Sequence, residues 1–135
     1  MVQFNERLKS ARSALKTLGE LTGEQHASVI HRDAAIQRFE YTFEAIWKTA
    51  RVYLREFEGL DVGSPKGVLR ACYQVGILNQ DQTALGLQMV DDRNMTSHTY
   101  HAALAVKIYK RLKTYADLMD FWLEKMEQHK KKEPF

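Results

Sequence analysis

Ile36-x2-Phe39-x3-Phe43-x2-Ile46-x3-Ala50-x2-Tyr53-Leu54, inside the stretch from Ser28 to Glu58, decides the fold of this chain. Its apolar residues return at steps of three and four. That is the helical period, not the every-second-residue alternation of a half-buried strand, so the stretch predicts one long amphipathic helix carrying much of the aromatic bulk. Toward the N-terminus, Phe4, Leu8, Ala11, Leu15 and Leu18 keep the same rhythm, and Gly19 to Gly23 stop it. Toward the C-terminus, Gly59 to Gly63 break the pattern and Ser64-Pro65 restart it. Serine accepts hydrogen bonds at a helix N-cap, and proline suits the first turn. Val68, Leu69, Cys72 and Tyr73 then predict a short helix ended by Gly76. Asn79 or Asp81 is placed to cap the next one, which runs through Ala84, Leu85, Leu87, Met89 and Val90 toward Arg93. A last long helix is marked by Ala105, Ile108, Leu112, Tyr115, Met119, Trp122 and Met126.

No window alternates convincingly, and the only prolines are Pro65 and Pro134, so long helices run uninterrupted. The expected fold is all-α: one domain over 1–135, an antiparallel bundle of about five helices with a four-helix up-and-down core. Phe39, Phe43, Trp47, Tyr53 and Trp122 are expected in the core. A base-stacking platform is the minor alternative for any one of them. The apolar surface on the two long helices also suggests self-association.

Composition bounds the function. With 135 residues, 44% hydrophobic and 27% charged, the chain is an ordinary globular protein, neither disordered nor fibrous. Its net charge of +3 permits an anionic partner without demanding one. The run His129-Lys130-Lys131-Lys132 reads as a frayed, solvated tail. Cys72 is the only cysteine, which excludes an intramolecular disulfide and a single-chain thiolate cluster and fits a reducing cytoplasm. No signal-peptide pattern and no apolar run of membrane-spanning length occur, so a cytoplasmic protein with no membrane association is expected.

The chemistry-bearing stretch is Arg93-Asn94-Met95-Thr96-Ser97-His98-Thr99-Tyr100. It sets a permanent cation, an imidazole and a phenol in one polar interruption between two helices. Arginine matches phosphate oxygens two at a time, and histidine exchanges a proton near neutrality. On an unbroken helix Arg93 and His98 would point about 140° apart, so they converge only if the backbone turns between them. Thr96, Ser97 and Thr99 favour such a turn, because their hydroxyls compete for backbone hydrogen bonds. A helix beginning there would aim free N–H groups at the same anion. The bland alternative is a solvated junction, with His98 packing and Arg93 paired to Asp91 or Asp92. Arg-x4-His is an unspecific spacing in a chain with nine arginines and five histidines.

Other chemistry is weakly supported. His26 and His31, or His98 and His101, lack a carboxylate placed as a third metal ligand, so no metal and no cofactor is expected. Glu40 and Glu44, one turn apart, suit an acid/base pair, but a wet helix face is the better reading.

The pattern Arg93-x4-His98-x-Tyr100 between the fourth helical segment and a long last helix resembles the HEPN family (higher eukaryotes and prokaryotes nucleotide-binding domain). More closely, the chain resembles its branch of nucleotidyltransferase substrate-binding proteins. The likeness runs through Arg38 to Lys48, Ser64 to Arg70 and Arg93 to Tyr100. The resemblance implies a homodimer with two Arg-His pairs facing one cleft, partnered with a separately encoded minimal nucleotidyltransferase in a toxin and antitoxin pair. It further implies a metal-independent endoribonuclease acting on RNA, silenced by AMP attached to a tyrosine. By position, Arg93 would bind the scissile phosphate with Asn94 and Ser97 beside it, His98 would move the proton, and Tyr100 would be the modification target. A non-catalytic subunit that presents substrate to the nucleotidyltransferase remains the alternative, as does a purely structural helical dimer.

Overall fold

Ser28 Oγ accepts a hydrogen bond from the His31 backbone N–H at 3.0 Å, and this cap starts the long helix that the periodicity predicts. The computed structural model describes residues 2–131. In chain order they form α1 (Val2–Gly19), α2 (Val29–Phe57), α3 (Pro65–Gln74), α4 (Gln80–Asn94), a short 3-10 turn (Thr96–His98) and α5 (Ala102–Lys131). No strand occurs among the described residues, so the all-α expectation holds. None of these helices is long and apolar enough to cross a membrane.

Direction follows from which residues meet. Thr49 reaches the carbonyl of Arg7 and Thr42 that of Ala14, so α1 and α2 are antiparallel. The ring pairs His31–Tyr109 and Phe39–Tyr115 advance together, so the two long helices α2 and α5 run parallel, as the diagonal of the bundle. Gln88 with Tyr115 and Asp92 with Arg111 set α4 antiparallel to α5. The four main helices therefore alternate up and down, as expected.

The core is what the periodicity marked. Ile36, Phe39, Phe43, Ile46, Ala50, Tyr53 and Leu54 of α2 and all seven predicted positions of α5, Ala105 to Met126, are buried. Ser64 caps α3 with Pro65 in its first turn, and Gly76 ends the segment at φ 85°, a left-handed conformation that favours glycine. Asn79, not Asp81, caps α4, in a reciprocal capping box with Gln82.

Three local expectations are corrected. Tyr73 is 48% exposed and does not join the α3 stripe. On α4, Ala84 faces solvent, while Thr83, Gly86, Met89, Val90 and Asp92 face inward. Gly86 faces α3 on this inward side: a Cβ there would lie 2.6 Å from Leu69 Cδ2, so the glycine lets α3 and α4 approach closely. Finally, the basic end is no frayed tail through Lys131, because α5 continues to that residue and Lys130 Nζ donates to Asn5 Oδ1 at 2.9 Å. Lys132 and Pro134 lie outside the described residues.

Candidate functional site

α4 stops at Asn94 because its last carbonyls find other partners. The Met95 N–H donates to the carbonyls of Asp91 and Asp92, and His98 N–H to Met95 O at 3.0 Å, tightening the chain into a 3-10 turn. Thr96 and Thr99 hold that turn through their side chains. Thr96 Oγ1 lies 2.7 Å from Arg93 O, and Thr99 Oγ1 donates to Thr96 O at 2.9 Å. The turn expected near Ser97 is therefore present. α5, however, starts at Ala102, beyond His98 and Tyr100, so its N-terminus is displaced from the position expected for an anion site.

Arg93 is half-buried and points at α2. Its Nη1 lies 3.3 Å from Thr96 Oγ1 and 3.8 Å from Glu40 Oε2, and its Nη2 lies 4.0 Å from Glu44 Oε1. Thr96 Oγ1 is also 2.9 Å from Glu40 Oε2, so its single proton lies between Glu40 and the Arg93 carbonyl. Arg93 Nε is buried without a hydrogen-bond partner. The pairing with Asp91 or Asp92, the bland alternative for Arg93, is not found. Asp91 binds Lys66 at 2.7 Å, and Asp92 takes both contacts of Arg111 Nη1, at 3.1 and 2.9 Å. Glu40 and Glu44, read from sequence as a wet face, are the counterions of Arg93.

His98, Asn94 and Ser97 are exposed. The His98 ring meets Tyr100 with centroids 6.4 Å apart, and Tyr100 packs on His101 at 4.3 Å. Tyr100 is 77% exposed. The structure thus gathers His98 and Tyr100 at one exposed corner and Arg93 with Thr96 and Glu40 beside it. Among the described residues no hydrogen bond joins Arg93 to His98.

Beneath this corner lies a network that sequence reading missed. Asp92 is 9% exposed and accepts from both Arg111 and the hydroxyl of Tyr115, which in turn accepts from Gln88 Nε2 at 2.9 Å. Burial, then the neighbouring Asp92, pushes the Tyr115 phenol up to about 12. Hydrogen bonding to Asp92 raises the Arg111 guanidinium above its ordinary value and keeps it charged. The clue available in sequence was an acid one residue before the motif arginine, with Arg and Tyr four apart on the facing helix.

Chemically, the corner offers a guanidinium with partial counterions, an exposed imidazole and an exposed phenol. These suit phosphate binding, proton exchange and O-modification. The family described as nucleotidyltransferase substrate binding protein like matches residues 6–128 of this chain. A crystal structure from Thermus thermophilus is similar at 52% identity and TM-score 0.85, covering 86% of this chain and 98% of that one. Among curated proteins, none matches.

Proposed function

This chain belongs to the nucleotidyltransferase substrate binding protein like family, and from that premise we propose that it is the HEPN-type half of a two-protein system. In this reading it is a homodimeric, metal-independent endoribonuclease in the cytoplasm, silenced by a separately encoded minimal nucleotidyltransferase that attaches AMP to Tyr100. The observation that carries the reading is the corner itself. A half-buried guanidinium at Arg93 lies within a few residues of an exposed imidazole and an exposed phenol, at a helix junction held by Thr96 and Thr99.

The chemistry balances. A ribose 2′-oxygen attacks its neighbouring phosphorus, forming the 2′-O–P bond. A neutral His98 takes the 2′ proton, the P–O5′ bond breaks, and a protonated His98 from the second copy supplies a proton to the leaving 5′-oxygen. Two copies of Arg93 offset the charge that develops on the phosphorane, with Asn94 and Ser97 as neutral donors. In the silencing step, Tyr100 Oη attacks the α-phosphorus of ATP, loses its proton, and pyrophosphate departs. The added phosphodiester carries negative charge next to His98 and repels RNA.

One observation favours a second reading, a substrate-presenting subunit without nuclease activity: Arg93 already has two carboxylates beside it and no bond to His98. Two measurements decide. Purified protein in excess chelator is expected to cleave RNA, with loss in Arg93→Ala and in His98→Ala. No cleavage at any concentration leaves the second reading. Intact mass after co-expression with the nucleotidyltransferase is expected to rise by an AMP unit, and an equal gain in Tyr100→Phe overturns that site.

A further inference from the structure

Away from the Arg93 corner, the groove between α1 and the C-terminal half of α2 holds a depression of about 250 Å3 lined by Gln3, Arg7, Lys48, Arg51, Val52 and Arg55. Four of these six are cations and none is an acid. Their internal compensation is thin. Arg55 Nη2 donates to the neutral Gln3 at 3.2 Å, and Lys48 faces Glu44 at 3.5 Å. Arg51 Nε is buried without a hydrogen-bond partner. Glu6 lies in the adjoining depression with Arg7. Clustered like charges repel, so such an arrangement is costly unless an anion enters it.

The groove lies on the same face of α2 as Glu40 and Glu44, the counterions of Arg93. Residues 40, 44, 48, 51 and 55 fall within about 80° on one face of α2, and the step from Glu44 to Arg51 spans about 10 Å along the axis. Glu44 connects the two regions, facing Arg93 at 4.0 Å and Lys48 at 3.5 Å. We propose that Arg7, Lys48, Arg51 and Arg55 form a phosphate-binding track for the backbone of single-stranded RNA, running along α2 away from the phosphate held at Arg93. Such a track reads no bases, because it offers charge and guanidinium forks without an aromatic platform in its lining. Naming RNA as the occupant rests on the ribonuclease reading above. The charge geometry of the groove does not.

The test uses oligonucleotides with 2′-O-methyl riboses, which lack the nucleophile and survive whether or not the protein is a nuclease. Fluorescence anisotropy of oligo-U and oligo-A across a salt series gives the slope of log affinity against log salt. Arg7→Gln with Arg55→Gln removes two exposed cations and should leave helicity and melting unchanged. The slope is expected to become shallower by about 1.4, two contacts at about 0.7 each, equally for both homopolymers. Arg51→Lys, which keeps charge in the least exposed position, is expected to retain most of the slope. Lys9→Gln with Lys107→Gln, exposed cations outside the groove, should leave it unmoved.

An unchanged slope in the double variant overturns the track. So does a groove variant that keeps its RNA slope but loses the nucleotidyltransferase in a pull-down, which would make this face a protein-docking surface. Cleavage assays separate the two readings. RNA cleaved with the slope unmoved sinks the track alone, whereas no cleavage with the slope reduced sinks the nuclease and leaves the track standing.

Discussion

Tyr115 gives its hydroxyl hydrogen bond to Asp92, the residue immediately before Arg93, so the core of α5 fixes the last turn of α4 and with it the backbone from which Arg93 projects. Tyr115→Phe removes that bond but keeps the ring, and leaves Asp92 with Arg111. A hydrogen bond to a charged group is worth about 2 kcal/mol, so stability should fall by about that much. Asp92→Ala leaves the Tyr115 hydroxyl without its acceptor and also removes the partner of Arg111, which is about a third exposed and can turn to water, so it should cost only somewhat more, about 2 to 3 kcal/mol. Urea titrations at constant m-value check both, and equal losses would show that Arg111 contributes nothing to the clamp.

The same burial sets an alkaline limit. Desolvation pushes the Cys72 thiol up to about 12, against a lowering hydrogen bond from Trp122, and pushes Tyr115 to about 12. In the unfolded chain these groups lose their protons at ordinary values, 9.0 and 10.0. Between those values and about 12 the unfolded state binds fewer protons than the folded one, so unfolding free energy falls as pH rises through that window. Guanidinium melts at pH 8 to 11 should show the decline, with part of it absent in Tyr115→Phe. Cys72 should likewise ignore a thiol reagent in the native protein and react once unfolded.

Most of this fold was written in local patterns. Ser64 caps where expected, α2 starts directly after Ser28, the marked start of its stretch, and the stripes on α2 and α5 are buried at every marked position, because periodicity and capping act over a few residues. What escaped depends on registers between helices. Asp92 looks like any acid near a helix end until α5 delivers Arg111 and Tyr115 to it. Arg93 has two acids beside it in sequence, yet takes Glu40 and Glu44, because Lys66 and Arg111 claim the neighbours. The start of α5 was misplaced for a nearer reason: Thr96 and Thr99 bind backbone carbonyls and stabilise a 3-10 turn where a cap for α5 was expected.

Gly86 makes a packing prediction that tests the α3–α4 contact directly. Ala is the better helix former by about 1 kcal/mol, so on an open face Gly86→Ala would stabilise. Here the new methyl meets the Cδ atoms of Leu69, which is fully buried, so that side chain must shift against its packed neighbours and a net loss of about 1 kcal/mol is expected. Combining it with Leu69→Ala should give a smaller total than the sum of the two single losses. Additive losses would place the two residues out of contact.

Glu40 offers the sharpest probe of the candidate site, because its stability role and its electrostatic role separate. The Glu40–Arg93 pair is a loose 3.8 Å contact between partly exposed side chains, so Glu40→Gln should change stability by less than about 1 kcal/mol. Glutamine can still accept from Thr96, which preserves the turn. What changes is the charge beside the guanidinium: an anion at Arg93 no longer competes with that carboxylate. Glu40→Gln is therefore expected to raise the melting-temperature increment given by millimolar sulfate, and to bind uncleavable RNA more tightly at low salt than the parent protein. Arg93→Gln in the same background should abolish both gains. A Glu40→Gln protein whose sulfate response matches the parent would remove Arg93 from the role of phosphate ligand.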